Sequence, residues 1–456
     1  MPGRRIVWWL EEIHVNDWFE AEQRVERAHE LYESGRWEEA LRELRAALRV
    51  NPYQGEWHFN MGLTLDAMGR FEEAVDCFKR ALEYHGEDPE ILNMLGLDCL
   101  RLSRPAEALM HFDRSAALEP SDPASFCHRI AAYAQLGDHE QAEVMYFQAI
   151  ELDEDNPRAY GNMSVSLLER GLIDKAIWCL NQVRRIDPSD HEVNARLGEA
   201  YWLKGQLDKA RRFYLRQLRQ DPGDVQTLME LGSLLVEMDR PTEAVEKFRR
   251  VTELEPAHIE AHFELAQVAL ARNDLDSAQM GFELVLRLAP TRQMVHQRLA
   301  TVALRRNRIE QAQRHLRGEL AVSQTPADLE QAGDLAMLLL DAQMPREAAV
   351  VLRSMLTQLP ADPRLAHQLA LALFMNGQLE AGIRYCRKAI RHDESYTLAM
   401  HNLALAHMQL HQFRRAGYWI RRASVIDSDD PKLRQLQTRL LMMAVRSRLR
   451  RLIGRR

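Results

Sequence analysis

Residues Val225 to His258 carry two short amphipathic patterns in succession. Leu228, Leu231, Leu234 and Leu235 recur at helical spacing. The stretch Asp239–Pro241 interrupts that period, and Ala244, Val245, Phe248, Val251 and Leu254 resume it until Pro256. The spacing predicts two antiparallel helices joined by a tight turn. Neither helix can bury its apolar stripe alone, and the pair together still leaves one apolar face open. A further copy of the same unit would cover it.

That copy exists at a period of 34 residues. A small residue recurs at unit position 20, as Ala40, Ala74, Ala108, Ala142, Ala176, Ala210, Ala244, Ala278, Ala312, Ala348, Gly382 and Ala416. The only break is two extra residues between Ala312 and Ala348. Position 8 is nearly as uniform, with Gly62, Gly96, Gly198, Ala300 and Ala370 among its members and Ile130 as the bulky exception. Small side chains at both places allow close helix approach, so Ile130 is expected to spread its pair slightly. Position 24 is large through Phe78, Phe112, Tyr146, Tyr214 and Phe282, and position 32 is often proline. Twelve copies begin at Ala21, Gly55, Pro89, Pro123, Pro157, His191, Val225, Ile259, Gln293, Leu329, Pro363 and Thr397.

This period and these positions resemble the tetratricopeptide repeat. The resemblance implies an all-α fold, a right-handed superhelical solenoid of helix-turn-helix units. It divides the chain into an aromatic N-terminal capping segment (1–20), twelve repeats (21–430), and a C-terminal capping helix with a basic tail (431–456). The first segment carries Trp8, Trp9, Trp18 and Phe19. It is read as a helix laid over the first repeat, with a partner or self-association patch as the alternative. In the last segment Leu433, Leu436, Leu440, Leu441 and Val445 form a stripe suited to capping repeat twelve. The polar stretch from Val322 to Asp328, where the two extra residues fall, is a longer loop or a hinge.

Composition adds an asymmetry. The net charge is −7, yet residues 431–456 hold nine cations and no acid, leaving −16 on the rest. The tail Arg446–Arg456 could touch an anionic surface, though no nucleic-acid partner is predicted from it. The five cysteines, Cys77, Cys99, Cys127, Cys179 and Cys386, form no CxxC pair and are expected as buried, reduced thiols. The apolar run Ile6–Leu10 is too short for a secretory core, and no stretch is apolar enough to span a membrane. A cytoplasmic location is expected.

Catalytic signatures are missing. There is no phosphate loop, HExxH, GxSxG or paired CxxC. His258 and His262 stand four apart, as do His407 and His411, but nothing marks a third ligand for either pair. The chain is therefore expected to be no enzyme and to carry no cofactor or metal.

In tetratricopeptide arrays the first helix of each repeat (helix A) lines a groove, and the resemblance implies that positions 2, 5, 6, 9, 12 and 13 face a ligand. Helical geometry puts these positions on one face. Early in the chain that face is apolar at Phe59, Leu63 and Leu97. It is acidic in the middle at Glu199, Glu230, Glu237 and Glu264, with Trp202 beside them. It is apolar again at Phe374 and Met408, accompanied by His367 and His401. Arg196 and Arg298 occupy position 6, as do Asn60, Asn162 and Asn402, while Asn93 sits at position 5. The O-linked N-acetylglucosamine transferase array carries an asparagine ladder at position 6, and here its rungs are not adjacent. No three successive repeats supply the charged set of the chaperone-tail clamp. The expected function is a protein-interaction scaffold holding a peptide segment, basic at its centre, in the groove. The alternative is a substrate-recognition subunit of a protein-modifying, glycosyltransferase-like complex. Oligomeric state is open.

Overall fold

The computed structural model describes the backbone of residues 5–190, 192–322, 329–427 and 430–453, and side chains among these from 18 to 445. Within the described residues there are twenty-five helices and no strand. The chain divides into two compact units, Met1–Arg240 and Pro241–Arg456. Each unit is a run of antiparallel helix pairs in which successive helices pack on one another, the arrangement of a tetratricopeptide solenoid.

The start of several of the A helices is set by a side-chain cap. Asp88 Oδ1 accepts from the backbone N–H of Glu90 at 2.8 Å and of Ile91 at 3.3 Å, and Pro89 follows at the first helical position. Asp122 with Pro123, Asn156 with Pro157, and Asp362 with Pro363 repeat the device. The turn between helices A and B is set by position 15, which is left-handed in all twelve repeats, with φ between 55° and 79°. Glycine holds that place at Gly35, Gly69, Gly137, Gly171, Gly205 and Gly377, and other residues hold it elsewhere, as at Ser103 and Gln343.

Helix A buries a recurring set of positions, seen most fully in repeats two and seven. In the second repeat these are Trp57, His58, Met61, Gly62, Thr64 and Leu65, at positions 3, 4, 7, 8, 10 and 11. In the seventh they are Thr227, Leu228, Leu231, Gly232, Leu234 and Leu235 at the same places. Every alanine of the position-20 series is fully buried. Position 8 has a more specific task than general closeness. A Cβ built on Gly62 would lie 2.5 Å from the Phe78 ring, one on Gly96 2.3 Å from Phe112, and one on Gly198 2.7 Å from Tyr214. The glycine is the seat of the position-24 aromatic of its own repeat. At repeat four Ile130 fills that seat itself and is fully buried, and the Tyr146 ring lies edge-on to Tyr160 of the next repeat, 5.7 Å between centroids. All five cysteines are buried and unbridged.

The ends differ from simple caps. The N-terminal segment and helix A of the first repeat form one continuous helix, Arg5–Glu33, not a separate element laid across it. Its Trp18 ring stands 5.6 Å from that of Trp57, while Phe19 is exposed; the side chains of Trp8 and Trp9 lie outside the described residues. The final helix, Pro431–Ile453, packs on both helices of repeat twelve. Leu433 and Leu436 are buried and Leu440 packs beside them, whereas Leu441 and Val445 of the expected stripe are exposed. The extra residues at 323–328 and the side chains of the tail Arg446–Arg456 lie outside the described residues. Among the described residues no helix is long and apolar enough to cross a membrane.

Candidate functional site

Because the core takes mainly positions 3, 4, 7, 8, 10 and 11 of helix A, positions 2, 6, 9 and 13 lie on its other side, whereas position 5 is buried at Cys127, Gly161, Phe263, Gln297 and His401 and position 12 at Ala134, Leu270, Leu340 and Met408. Stacking of successive helices then sets position n of one repeat beside position n+1 of the next. This makes a series of cross-links at a sequence separation of 35. Asn162 Nδ2 donates to the Cys127 carbonyl at 2.7 Å, and Asn402 Nδ2 contacts His367 Nε2 at 2.7 Å, both joining position 6 to position 5 of the preceding repeat. Gln135 Nε2 donates to the Leu100 carbonyl at 3.1 Å, and Arg305 Nη1 to the Leu270 carbonyl at 2.7 Å, joining position 13 to position 12. Arg101 pairs with Asp66 in the same register and also donates to the buried Asp98 at 2.8 Å. Two of the three asparagines that resemble a peptide-binding ladder are thus engaged inside the array. The sequence carried the signal in complementary residues 35 apart, His367 with Asn402 and Asp66 with Arg101, which a search at the 34-residue period passes over.

The apolar members of the face belong partly to the core. Phe59, Leu63 and Leu97 are half-buried against the first core cluster, with Phe59 at 5.7 Å from the Phe78 ring. Asn60 and Leu63 border a cavity of about 220 Å³ that also touches Val25, Tyr32 and Leu44. Asn93 is half-buried and its Oδ1 has no protein partner. Phe374 lies over Gly382, where a Cβ would come within 2.4 Å of its ring. Met408 and His401, expected on the ligand face, are instead buried. The final helix covers helix A of the last repeat, so that repeat offers less open face than the others.

One group in the first unit stays open. Glu199 and Trp202 stand on helix A of repeat six, Val193–Leu203, and Glu230 and Glu237 on helix A of repeat seven, Val225–Glu237. Trp202 Nε1 donates to Glu237 Oε2 at 2.6 Å. Glu230 accepts from Gln226 Nε2 at 2.6 Å. Burial raises the Glu230 carboxyl above its ordinary range, the Gln226 hydrogen bond opposes this, and the Glu199 charge adds to it. Burial likewise raises the Tyr214 phenol beneath them, with Glu230 and Glu199 adding to the shift. Among the described residues none of these three carboxylates pairs with a cation. Arg196, at the same level, is engaged with Glu192 at 2.7 Å.

Glu264, in the second unit, has a different setting. Burial and the Glu260 charge raise its carboxyl, and Arg292 and Arg298 oppose them. Arg292 itself pairs with Glu260 at 2.7 Å and lies 4.4 Å over the Phe263 ring. Its charge is therefore answered within its own unit. The histidine pair at 258 and 262 is engaged structurally. His258 Nδ1 caps its helix by accepting from the Ala261 N–H at 3.1 Å, and His262 Nε2 lies 2.9 Å from the Pro256 carbonyl.

Residues 21–264, more than half of the chain, match the tetratricopeptide family model described as the cilia and flagella-associated protein 70 C-terminal domain. The chain belongs to that family. Residues 296–317 separately match a tetratricopeptide repeat model. No curated protein gives a significant match. Among solved structures, a tetratricopeptide repeat protein from Parabacteroides merdae is 19% identical, covering 55% of this chain and 98% of that one at a TM-score of 0.47. A thermophilic one from Thermus thermophilus is 25% identical over 40% of this chain and 99% of that one, at 0.38. The human IFIT1 dimer with PPP-AAAA is 18% identical over 80% and 88%, at 0.47. These likenesses concern the repeat fold alone.

Proposed function

We propose that the chain is a non-enzymatic interaction scaffold, and that the helix-A face of its first unit holds a lysine- or arginine-rich segment of a partner protein. The observation that carries this is the acidic group on two adjacent A helices, Glu237 bonded to Trp202 and Glu230 coupled to Glu199, three carboxylates with no cationic partner among the described residues. Unpaired carboxylates that are partly withdrawn from water gain most from an incoming cation. The indole supplies a flat surface for an aliphatic stem or a guanidinium plane. The acidic body of the chain, −16 outside the last 26 residues, adds long-range attraction for a basic ligand. The glycosyltransferase-like alternative draws less support, since Asn162 and Asn402 already bond within the array.

The test is binding of a fluorescent Lys/Arg-rich peptide to the full chain, followed by anisotropy and by Trp fluorescence at two salt concentrations. Replacing Glu199, Glu230 and Glu237 together by Gln keeps the shape and removes the charge. The triple variant should bind at least about tenfold more weakly, which corresponds to about 1.4 kcal/mol. Equal affinity for wild type and variant would sink the proposal.

A further inference from the structure

Three metal-ligating side chains of the third repeat converge in the first unit. Cys99 lies late on helix A, Pro89–Arg101, and Glu107 and His111 stand one turn apart on helix B, Pro105–Leu118. Their ligand atoms all lie within 4.8 Å of one another, and no other group of three does so among the described residues. Cys99 is fully buried and His111 is 8% exposed. The buried Nδ1 of His111 has no hydrogen-bond partner, so the ring is not held by the protein through that atom. We propose that Cys99, Glu107 and His111 form a binding site for a thiophilic divalent transition-metal ion of the zinc class.

The donor set selects the ion. One sulfur, one imidazole nitrogen and one carboxylate oxygen suit zinc or cobalt, whereas calcium and magnesium demand oxygen. Tetrahedral coordination at ordinary zinc bond lengths sets neighbouring donors about 3.5 Å apart, so from separations within 4.8 Å the donors close by about 1.3 Å at most. Three protein ligands leave a fourth position for water. Glu107, with its side chain 34% exposed, borders the way in.

Two of the three ligands are ready at neutral pH. Glu107 is held in its charged form chiefly by the hydrogen bond from Lys79 Nζ at 2.9 Å, which engages Oε1. His111 is held neutral chiefly by burial, with the Arg114 and Lys79 charges acting the same way and Glu107 opposing. The Cys99 thiol is pushed up to about 11, by burial first and by Glu107 and Asp98, against Lys79 and Arg104. Binding therefore exchanges one proton for one ion: the S–H bond breaks, the proton leaves to solvent, and the thiolate sulfur donates its pair to the metal.

The full chain, reduced and kept free of oxygen, would be titrated with Co²⁺ as probe. The expected result is one equivalent bound with a sulfur-to-cobalt charge-transfer band that Zn²⁺ displaces. Cys99→Ala should abolish the band and Cys77→Ala should leave it unchanged. His111→Gln should weaken binding at least about a hundredfold, beyond the usual effect of losing an outer-shell partner. Helicity measured on the same samples separates lost binding from lost fold, and the more exposed Glu107→Gln supplies a ligand change with little packing cost. No charge-transfer band up to millimolar Co²⁺, or a band that survives Cys99→Ala, would overturn the proposal.

Discussion

The two units solve the same packing problem with different residues. In three repeats of the first unit glycine at position 8 meets an aromatic ring at position 24, as Gly62 with Phe78, Gly96 with Phe112 and Gly198 with Tyr214, while Ala28 with Leu44 there already follows the second unit's pattern. In the second unit the last four repeats carry alanine at position 8, as Ala300, Ala336, Ala370 and Ala404. Their position-24 partners are the smaller Leu316, Leu352, Cys386 and Ile420, all buried. At the Leu316, Leu352 and Ile420 pairs side-chain volume moves from one helix to the other with the sum roughly kept, which is the kind of exchange a close-packed core tolerates. Repeat eleven goes a step further and puts the aromatic on helix A, Phe374, with its glycine on helix B, Gly382.

The strongest way to break this comparison is to mismatch one pair. Gly96→Ala places a methyl 2.3 Å from the fully buried Phe112 ring. It should destabilise the first unit by about 1–3 kcal/mol in urea unfolding. Adding Phe112→Leu recreates the combination found at Ala300 and Leu316, so the double variant should recover much of the loss. Additive effects of the two changes would show that the pairs are independent. Gly382→Ala tests the reversed pair, and the expected cost is smaller, about 1–2 kcal/mol, because Phe374 is half-exposed and can turn away.

The helix-A faces also differ, and pH sharpens that difference. The open carboxylates of the first unit contrast with His367 in the second, which is contacted at Nε2 by Asn402 and lies 3.5 Å from the Tyr396 hydroxyl. Burial lowers the His367 pKa. A histidine whose folded value is depressed contributes stability above its unfolded value, and that stability is lost as pH falls. The second unit should therefore lose stability as pH falls below about 6.5, and His367→Gln should flatten that slope. A slope unchanged in the variant would assign it to another group.

Most of the fold was legible in the chain because a 34-residue period is sampled twelve times, so chance substitutions average out. The site was less legible for a physical reason. Facing away from one's own helix pair is a local property and follows from helical periodicity. Being free for a ligand depends on the neighbouring repeat, and stacking shifts that neighbour by one residue. Asn162 and Asn402 met the first condition and failed the second. Met408 failed because it is buried, as are Ala134, Leu270 and Leu340 at the same position of other repeats. Glu237 is itself cross-linked to Trp202 in that register, and the acidic group is open only in charge, since Glu199, Glu230 and Glu237 pair with no cation among the described residues. Glu107 and His111 escaped notice as ligands because they join Cys99 across a turn, with no fixed spacing to mark them.

The smallest effect lies at position 15, where the comparison between early and late repeats continues. Five of the first six repeats place glycine in the left-handed turn, and later ones use Asn273, Asn307, Gln343 and His411. Asparagine tolerates that region, but glutamine has no short polar group to compensate the Cβ clash. Gln343, at φ 58°, is exposed and its backbone N–H is bonded to the Leu340 carbonyl at 3.0 Å, so the turn itself is sound. Gln343→Gly removes the clash, worth about 1–2 kcal/mol, and gives back part of that gain through the greater freedom of the unfolded chain. The net should be a rise of about 0.5 kcal/mol in the stability of the second unit, read as a higher urea midpoint at unchanged slope. A fall in the midpoint would mean that the glutamine side chain supports the turn in a way its exposure does not suggest.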